Sequence, residues 1–178
     1  MAEAFSNKLA RATGIVSTST GGAVGILTNL ITGISTVHVA VNDLVDTGHF
    51  ILGTKVTNIG VSSVTCDRDS TNTAAATNQS VKFLGVTTAY TSTSTKSILV
   101  GGTFANNTSS SVNLTVSIWD NSAITEVALA GKIPVPNGSS FVITDAGKTV
   151  LESSDEIRIY CDTANAIDAT LSILTGVS

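Results

Sequence analysis

Val112-Asn113-Leu114-Thr115-Val116-Ser117-Ile118-Trp119 sets one apolar side chain against one polar or amphipathic side chain at every step. Successive side chains of an extended chain point to opposite faces, so this period of two describes a strand with one buried face. The same alternation returns in Ile157-Arg158-Ile159-Tyr160-Cys161-Asp162, and in Ile167, Ala169, Leu171 and Ile173. Ser97–Phe104 and Ser139–Ile143 read as further strands, with Asp145-Ala146-Gly147 as a turn. Pro134 and Pro136 keep their segment out of any central strand. Trp119 stands on the parity opposite Val116 and Ile118, on an outer face or at a strand end. A covering loop explains it there, and so does a role as an anchor for a ligand or another subunit.

The first half is more broken. Val37, Val39 and Val41 alternate with His38 and Ala40 before an Asn42-Asp43 turn. Phe50-Ile51-Leu52 precedes Gly53, Lys55–Ile59 precedes Gly60, and Val61, Val64 and Cys66 run on to Asp67-Arg68-Asp69. Ser70 to Asn78 reads as a polar loop, and Val81–Val86 as another strand. Residues 1–12 read as an arm or short helix, because Ala2, Phe5, Leu9 and Ala12 recur at helical spacing and Gly14 would end it. So short a stripe cannot hold a helix alone, so it must dock on its own body or on a neighbouring subunit. The expected fold is all-β, an antiparallel β-sandwich or jelly-roll-like barrel with a short N-terminal arm or helix. The expected division is an arm at 1–12, a β-rich region at 13–90 and a sandwich domain at 91–178.

Composition narrows function by exclusion. Serine and threonine fill about a quarter of the 178 residues, whereas 12% are charged and there are two histidines and two cysteines. Few groups remain that could move protons, hold metals or attack carbonyls. Hydrophobic content of 42% and a mean hydropathy of +0.35 leave apolar surface that subunit contacts would cover. A net charge of −4 and a pI near 4.9 argue against nucleic acid, since Lys8 and Arg11 form the only local basic pair. No apolar run is long enough for a membrane helix. The opening Met-Ala-Glu-Ala-Phe-Ser-Asn-Lys does not resemble a secretory signal, so the sequons at Asn78, Asn106, Asn107, Asn113 and Asn137 read as accidents of composition. Cys66 and Cys161 then read as buried thiols more readily than as a long-range disulfide.

Each candidate for chemistry has a plainer reading. His38 and His49 have no cysteine or carboxylate at metal-ligand spacing. Asp67-x-Asp69-x-x-Asn72 loosely resembles a calcium loop but lacks the glycine and distal glutamate of one. Gly21-Gly22-Ala23-Val24-Gly25 has no βαβ unit around it. Asp155-Glu156 places adjacent carboxylates on opposite faces of a strand. No catalytic residue, metal or cofactor is expected, and an enzyme or small-molecule binder on a β scaffold ranks last. The candidate subunit-interface residues are Phe5, Leu9, Arg11 and Trp119.

Several segments resemble small virion structural proteins of tailed bacteriophages, particularly the contractile-tailed phages of marine cyanobacteria. They are Gly33-Ile-Ser-Thr-Val37, Asn42-Asp-Leu-Val45 and Gly53-Thr-Lys-Val-Thr-Asn-Ile-Gly60 in the first half. In the second they run from Ser97-Ile-Leu-Val-Gly-Gly-Thr-Phe-Ala-Asn-Asn-Thr108 through Lys132-Ile-Pro-Val-Pro-Asn-Gly-Ser-Ser140 to Leu151-Glu-Ser-Ser-Asp-Glu-Ile-Arg-Ile-Tyr160. The resemblance implies a β-rich, non-enzymatic protein that assembles as a multimer with itself and other virion proteins after synthesis in the host cytoplasm. It transfers no functional residue. A capsid decoration or cement protein is the leading reading, with a neck, tail or fibre component contacting the host as the alternative.

Overall fold

The computed structural model describes residues 3–144 and 149–177; the Asp145-Ala146-Gly147 turn and Ala2 lie outside them. The described residues contain strands and no helix. In chain order the strands are β1 (Ala4–Thr13), β2 (Ile15–Val24), β3 (Leu30–Thr32), β4 (Leu44–Asp46), β5 (Val56–Ile59), β6 (Ser63–Cys66), β7 (Ala76–Gly85) and β8 (Thr87–Thr91). They continue with β9 (Lys96–Asn106), β10 (Val112–Asp120), β11 (Thr125–Val135), β12 (Ser140–Ile143), β13 (Thr149–Glu152), β14 (Glu156–Cys161) and β15 (Ile167–Thr175). All pairings are antiparallel.

Two compact units emerge. The first joins Met1–Gly14 to Thr87–Ser178, and the second is Ile15–Val86. In the first, one sheet runs β1-β15-β9-β12, with β13 also on β9, and the other runs β11-β10-β14-β8. The inward residues of both form one core, as in a sandwich: Leu99, Phe104, Leu171 and Ile173 from one sheet, Leu114 and Ile159 from the other. Leu114, Ile159, Leu171 and Ile173 are the ones the period of two selected, whereas Leu99 and Phe104, of opposite parity, share the core across an irregularity in the pairing of β9. Pro134 lies in β11, an edge strand, where its missing N–H breaks no ladder. Serine is used inside as well as outside. The hydroxyls of Ser92 and Ser94 lie 3.0 Å from that of Ser97, and the Tyr90 hydroxyl lies 2.9 Å from it, a buried cluster that satisfies its own polar atoms.

The second unit is a six-stranded sheet, β4-β7-β2-β3-β6-β5, over a core that includes Ile31, Val45, Val56, Val64, Val81 and Phe83. Cys66 belongs to that core and Cys161 to the other; both thiols are buried. Burial first, and neighbouring Asp67 second, push the Cys66 thiol from near 9.0 up to about 12. The unfolded chain releases this proton near pH 9 while the folded chain keeps it. The contribution of Cys66 to stability is therefore whole below that pH and falls, by at most about 1.4 kcal/mol per pH unit, towards pH 12. At pH 8 the native chain should leave a disulfide reagent such as Ellman's unreacted until denaturant is added. Rapid labelling of Cys66 in the native chain would contradict this burial.

Three sequence expectations are corrected. Residues 4–13 form strand β1 and not a helix, paired with β15 from Ala4↔Thr175 to Ala10↔Ala169. A free edge of β15 offers a ladder of hydrogen bonds, whereas an isolated short helix pays its nucleation cost without tertiary return. The Val37–Val41 alternation is a turn and not a strand. Val39 N–H donates to the Thr36 carbonyl at 3.2 Å, Ala40 N–H to Asp43 Oδ2 at 2.8 Å, and His38 has a φ of 63°. Local turn chemistry outweighs a valine triplet there. The polar stretch from Ser70 is a loop only in its first part, because β7 begins at Ala76.

Candidate interaction surfaces

The sides of the first unit's two sheets that turn away from their shared core differ, one carrying a largely buried polar cluster and the other exposed apolar residues, and the four candidate residues divide between them. On β10, Trp119 stands opposite Glu126 of β11 on one side and Glu156 of β14 on the other. Arg158, one row along β14, lays its guanidinium 4.4 Å from the centre of the Trp119 ring. Its Nε donates to Glu156 Oε2 at 2.8 Å and its Nη1 to Glu126 Oε2 at 3.3 Å. Glu126 Oε2 also accepts from the Tyr160 hydroxyl at 3.2 Å, and its Oε1 accepts from Ser117 Oγ. Thr88 Oγ1 donates to Glu156 Oε2 at 3.2 Å.

The charges in this cluster are fixed by one another. Burial opposes the Arg158 charge, but the hydrogen bond and charge of Glu156, then Glu126, hold its pKa above the ordinary value. Burial, reinforced by Glu126, pushes the Tyr160 phenol up and keeps it a donor. Both Glu126 oxygens are occupied, which makes the group a brace across three strands and a poor general acid or base. Sequence reading singled out Trp119 and missed Glu126, Arg158 and Tyr160 around it.

Phe5, Leu9 and Arg11 lie on β1. Phe5 is 63% and Leu9 74% exposed, and Arg11 is exposed beside them. Ser6, Lys8 and Ala10 take the inward parity, opposite Ile173, Leu171 and Ala169 of β15. The register extends the outward residues across the sheet. Phe5 faces Leu174, Leu174 faces Ile98, and Ile98 faces Val150. A second row runs Leu9, Thr170, Thr103, Val142. Phe5, Leu9, Val142 and Val150 are all exposed, and neither row carries a charge. The structure does not bring Trp119 together with Phe5, Leu9 and Arg11: they lie on strands of different sheets.

The remaining candidates have structural roles. His49 engages Asn72 Oδ1 through Nδ1 at 2.8 Å and Gln79 Oε1 through Nε2 at 2.9 Å. Asp67 Oδ1 accepts from the Lys55 backbone N–H at 2.8 Å, bracing a turn. Asp155 accepts from the backbone N–H groups of Asn121 and Glu152 at 3.0 and 2.9 Å. Among the described residues no group of three or more His, Cys, Asp or Glu is placed to hold a metal ion. An open cleft of about 290 Å³ in the second unit is lined by small and apolar side chains, including Ala23, Val24, Leu30 and Ala76, with no titratable group. No helix of the described residues is long and apolar enough to cross a membrane.

No protein-family model matches the chain, and no curated protein matches it. Solved structures do. The chain is similar to the T13 viral particle of infectious bursal disease virus, at 10% identity over 93% of this chain and 70% of that one, with a TM-score of 0.34. It is similar also to the structure of the Gx strain of that virus, at 9% identity over 96% of this chain and 70% of that one, with a TM-score of 0.36. For the VP2 subviral particle the identity is 13% over 94% of this chain and 55% of that one, with a TM-score of 0.33. A likeness this remote says nothing about what the present chain does.

Proposed function

We propose that this chain is a non-enzymatic virion structural protein of a tailed bacteriophage, a capsid decoration or cement protein assembled in the host cytoplasm. One observation carries the reading: a charge-free outward row, Phe5-Leu174-Ile98-Val150, whose two ends are exposed and which starts on an edge strand that also carries Leu9 and Arg11. Such a row favours burial against another protein surface. The resemblance of the Gly33–Gly60 and Ser97–Tyr160 segments to small phage virion proteins supplies the particle. The titratable groups point the same way, since those of the Trp119 cluster are committed to bracing β10, β11 and β14.

An appendage at the neck, tail or fibre is the second reading. Arg158 stacked on Trp119 argues against an appendage that binds host glycans through this tryptophan, because the ring is already engaged by a guanidinium. Immunogold labelling of intact particles, with a copy count by quantitative mass spectrometry, separates the readings. Dense label over the head is expected for a decoration protein. Label confined to neck or tail would replace it with the appendage reading, and purified particles without its peptides would overturn both.

A further inference from the structure

β1 ends its sheet, and its far side pairs with no other strand of the described residues. Its regular part is Ala4–Ala10, because the register with β15 breaks between Ala10 and Thr13. That part, Ala4-Phe5-Ser6-Asn7-Lys8-Leu9-Ala10, has the same pattern read in either direction from Asn7: polar neighbours, then a large apolar residue, then alanine. Sequences with this symmetry suit a two-fold contact, in which one surface meets itself.

We propose that a second copy of this chain occupies this edge, through antiparallel β1–β1 pairing about a two-fold axis at Asn7. Phe5 then stands opposite Leu9 of the partner subunit, Ser6 opposite Lys8 of the partner subunit, and Asn7 opposite Asn7 of the partner subunit. The two uncharged rows become continuous across the contact, the Phe5-Leu174-Ile98-Val150 row of one copy meeting the Leu9-Thr170-Thr103-Val142 row of the other. Neighbouring registers are worse. Centring on Lys8 sets two ammonium groups opposite each other. Centring on Ser6 sets Phe5 against Asn7, and a one-residue slip turns the apolar face of one copy to the opposite side of the sheet. Main-chain hydrogen bonds supply the affinity, as in other strand additions, and the paired Phe5 and Leu9 select the register.

This pairing gives geometry to the self-association in the proposed function but is measured on the purified chain, without particles. A particle protein that stays monomeric alone would therefore defeat the pairing and leave the virion reading standing. Directly opposite Cα atoms in an antiparallel pair lie about 4.5–5.5 Å apart, within disulfide reach, whereas residues offset by two positions lie about 8 Å apart and beyond it. The full chain carrying Asn7→Cys should therefore cross-link to a dimer on mild oxidation, at least about tenfold faster than Lys8→Cys. Cys66 and Cys161 are buried and contribute little background. Light scattering should give a dimer mass for the unmodified chain. Phe5→Lys and Leu9→Glu should each raise the dimer dissociation constant about tenfold or more, and the double variant should recover it, because each introduced charge then faces its opposite. A monomer mass at about 100 µM, equal cross-linking at positions 7 and 8, or a double variant weaker than both singles would each overturn the proposal.

Discussion

Glu126→Ala is expected to lower the stability of the first unit by about 3–5 kcal/mol, far beyond an ordinary surface substitution. The side chain of Glu126 is only 6% exposed and that of its partner Arg158 14% exposed. Three donors converge on the one carboxylate: Ser117 Oγ, the Tyr160 hydroxyl and Arg158 Nη1. Truncation leaves all three without this acceptor, and the cost of an unmade buried hydrogen bond exceeds the net gain of a made one. Glu156 still holds Arg158 Nε at 2.8 Å, which keeps the loss from being larger. Tyr160→Phe removes one donor and leaves the carboxylate paired, so about 1 kcal/mol is expected. The chain has a single tryptophan, Trp119, and it sits in this cluster, so its fluorescence during urea unfolding reports the relevant unit directly. The expected result is a lower midpoint with an unchanged slope. A Glu126→Ala midpoint matching that of Tyr160→Phe would mean the cluster is not the brace its geometry describes.

Why the sequence yielded Trp119 and not Glu126 follows from what each level encodes. Alternation along β10, β14 and β15 is a local property, readable wherever one face is buried and the other is polar. It told which way Trp119 points. It could not tell what Trp119 meets, because cross-strand partners depend on register. Part of that register was legible. Asp120 Oδ1 accepts from the N–H groups of Ser122 and Ala123 at 2.9 and 2.8 Å, turn chemistry that also holds its carboxyl below the usual range. Counting outward from this turn pairs Asp120 with Thr125 and then Trp119 with Glu126. The β14 partners have no comparable signal, since Arg158 arrives from a distant segment.

β1 and β11 were harder for different reasons. Phe5 and Leu9 share a face at helical spacing, but residues 5, 7 and 9 share a face on a strand too, and only the edge of β15 decides between them. β11 lost its period because two irregularities interrupt its pairing with β10, between Leu114 and Val116 and between Val116 and Ser117. The Val37–Val41 segment failed in the opposite sense. Its alternation is real, yet the backbone turns there, with Asp43 bound to the Ala40 N–H and burial pushing the Asp43 carboxyl up. Periodicity thus identified strands where a long pairing partner existed and misread segments where a local bond or a free edge made the choice.

Gly14 was legible as a terminator, but the reason it must be glycine lies in tertiary structure. It follows β1 with a φ of +118°, and a Cβ built there would overlap the Thr163 carbonyl oxygen and lie 3.3 Å from Cys161 Cβ. Two hydrogen bonds hold the crossing in place, from Asn165 N–H to the Gly14 carbonyl at 2.9 Å and from Ala166 N–H to the Thr13 carbonyl at 2.8 Å. Gly14→Ala therefore combines backbone strain with a clash against fixed backbone, and a loss of at least about 3 kcal/mol is expected. Two controls divide the causes. Gly138 has a φ of +64° and open space around its Cβ position, so Gly138→Ala tests strain alone, at about 1 kcal/mol. Gly48 has open space and no such φ, so Gly48→Ala should stay within about 1 kcal/mol of the parent and can even stabilise. The order of the three urea midpoints is the result to read. If Gly14→Ala falls level with Gly138→Ala, the Thr163 backbone yields at no cost, and the β1 crossing is looser than its hydrogen bonds imply. If Gly14→Ala alone collapses the transition, closing β1 onto β15 at this one residue is a condition for the first unit to fold.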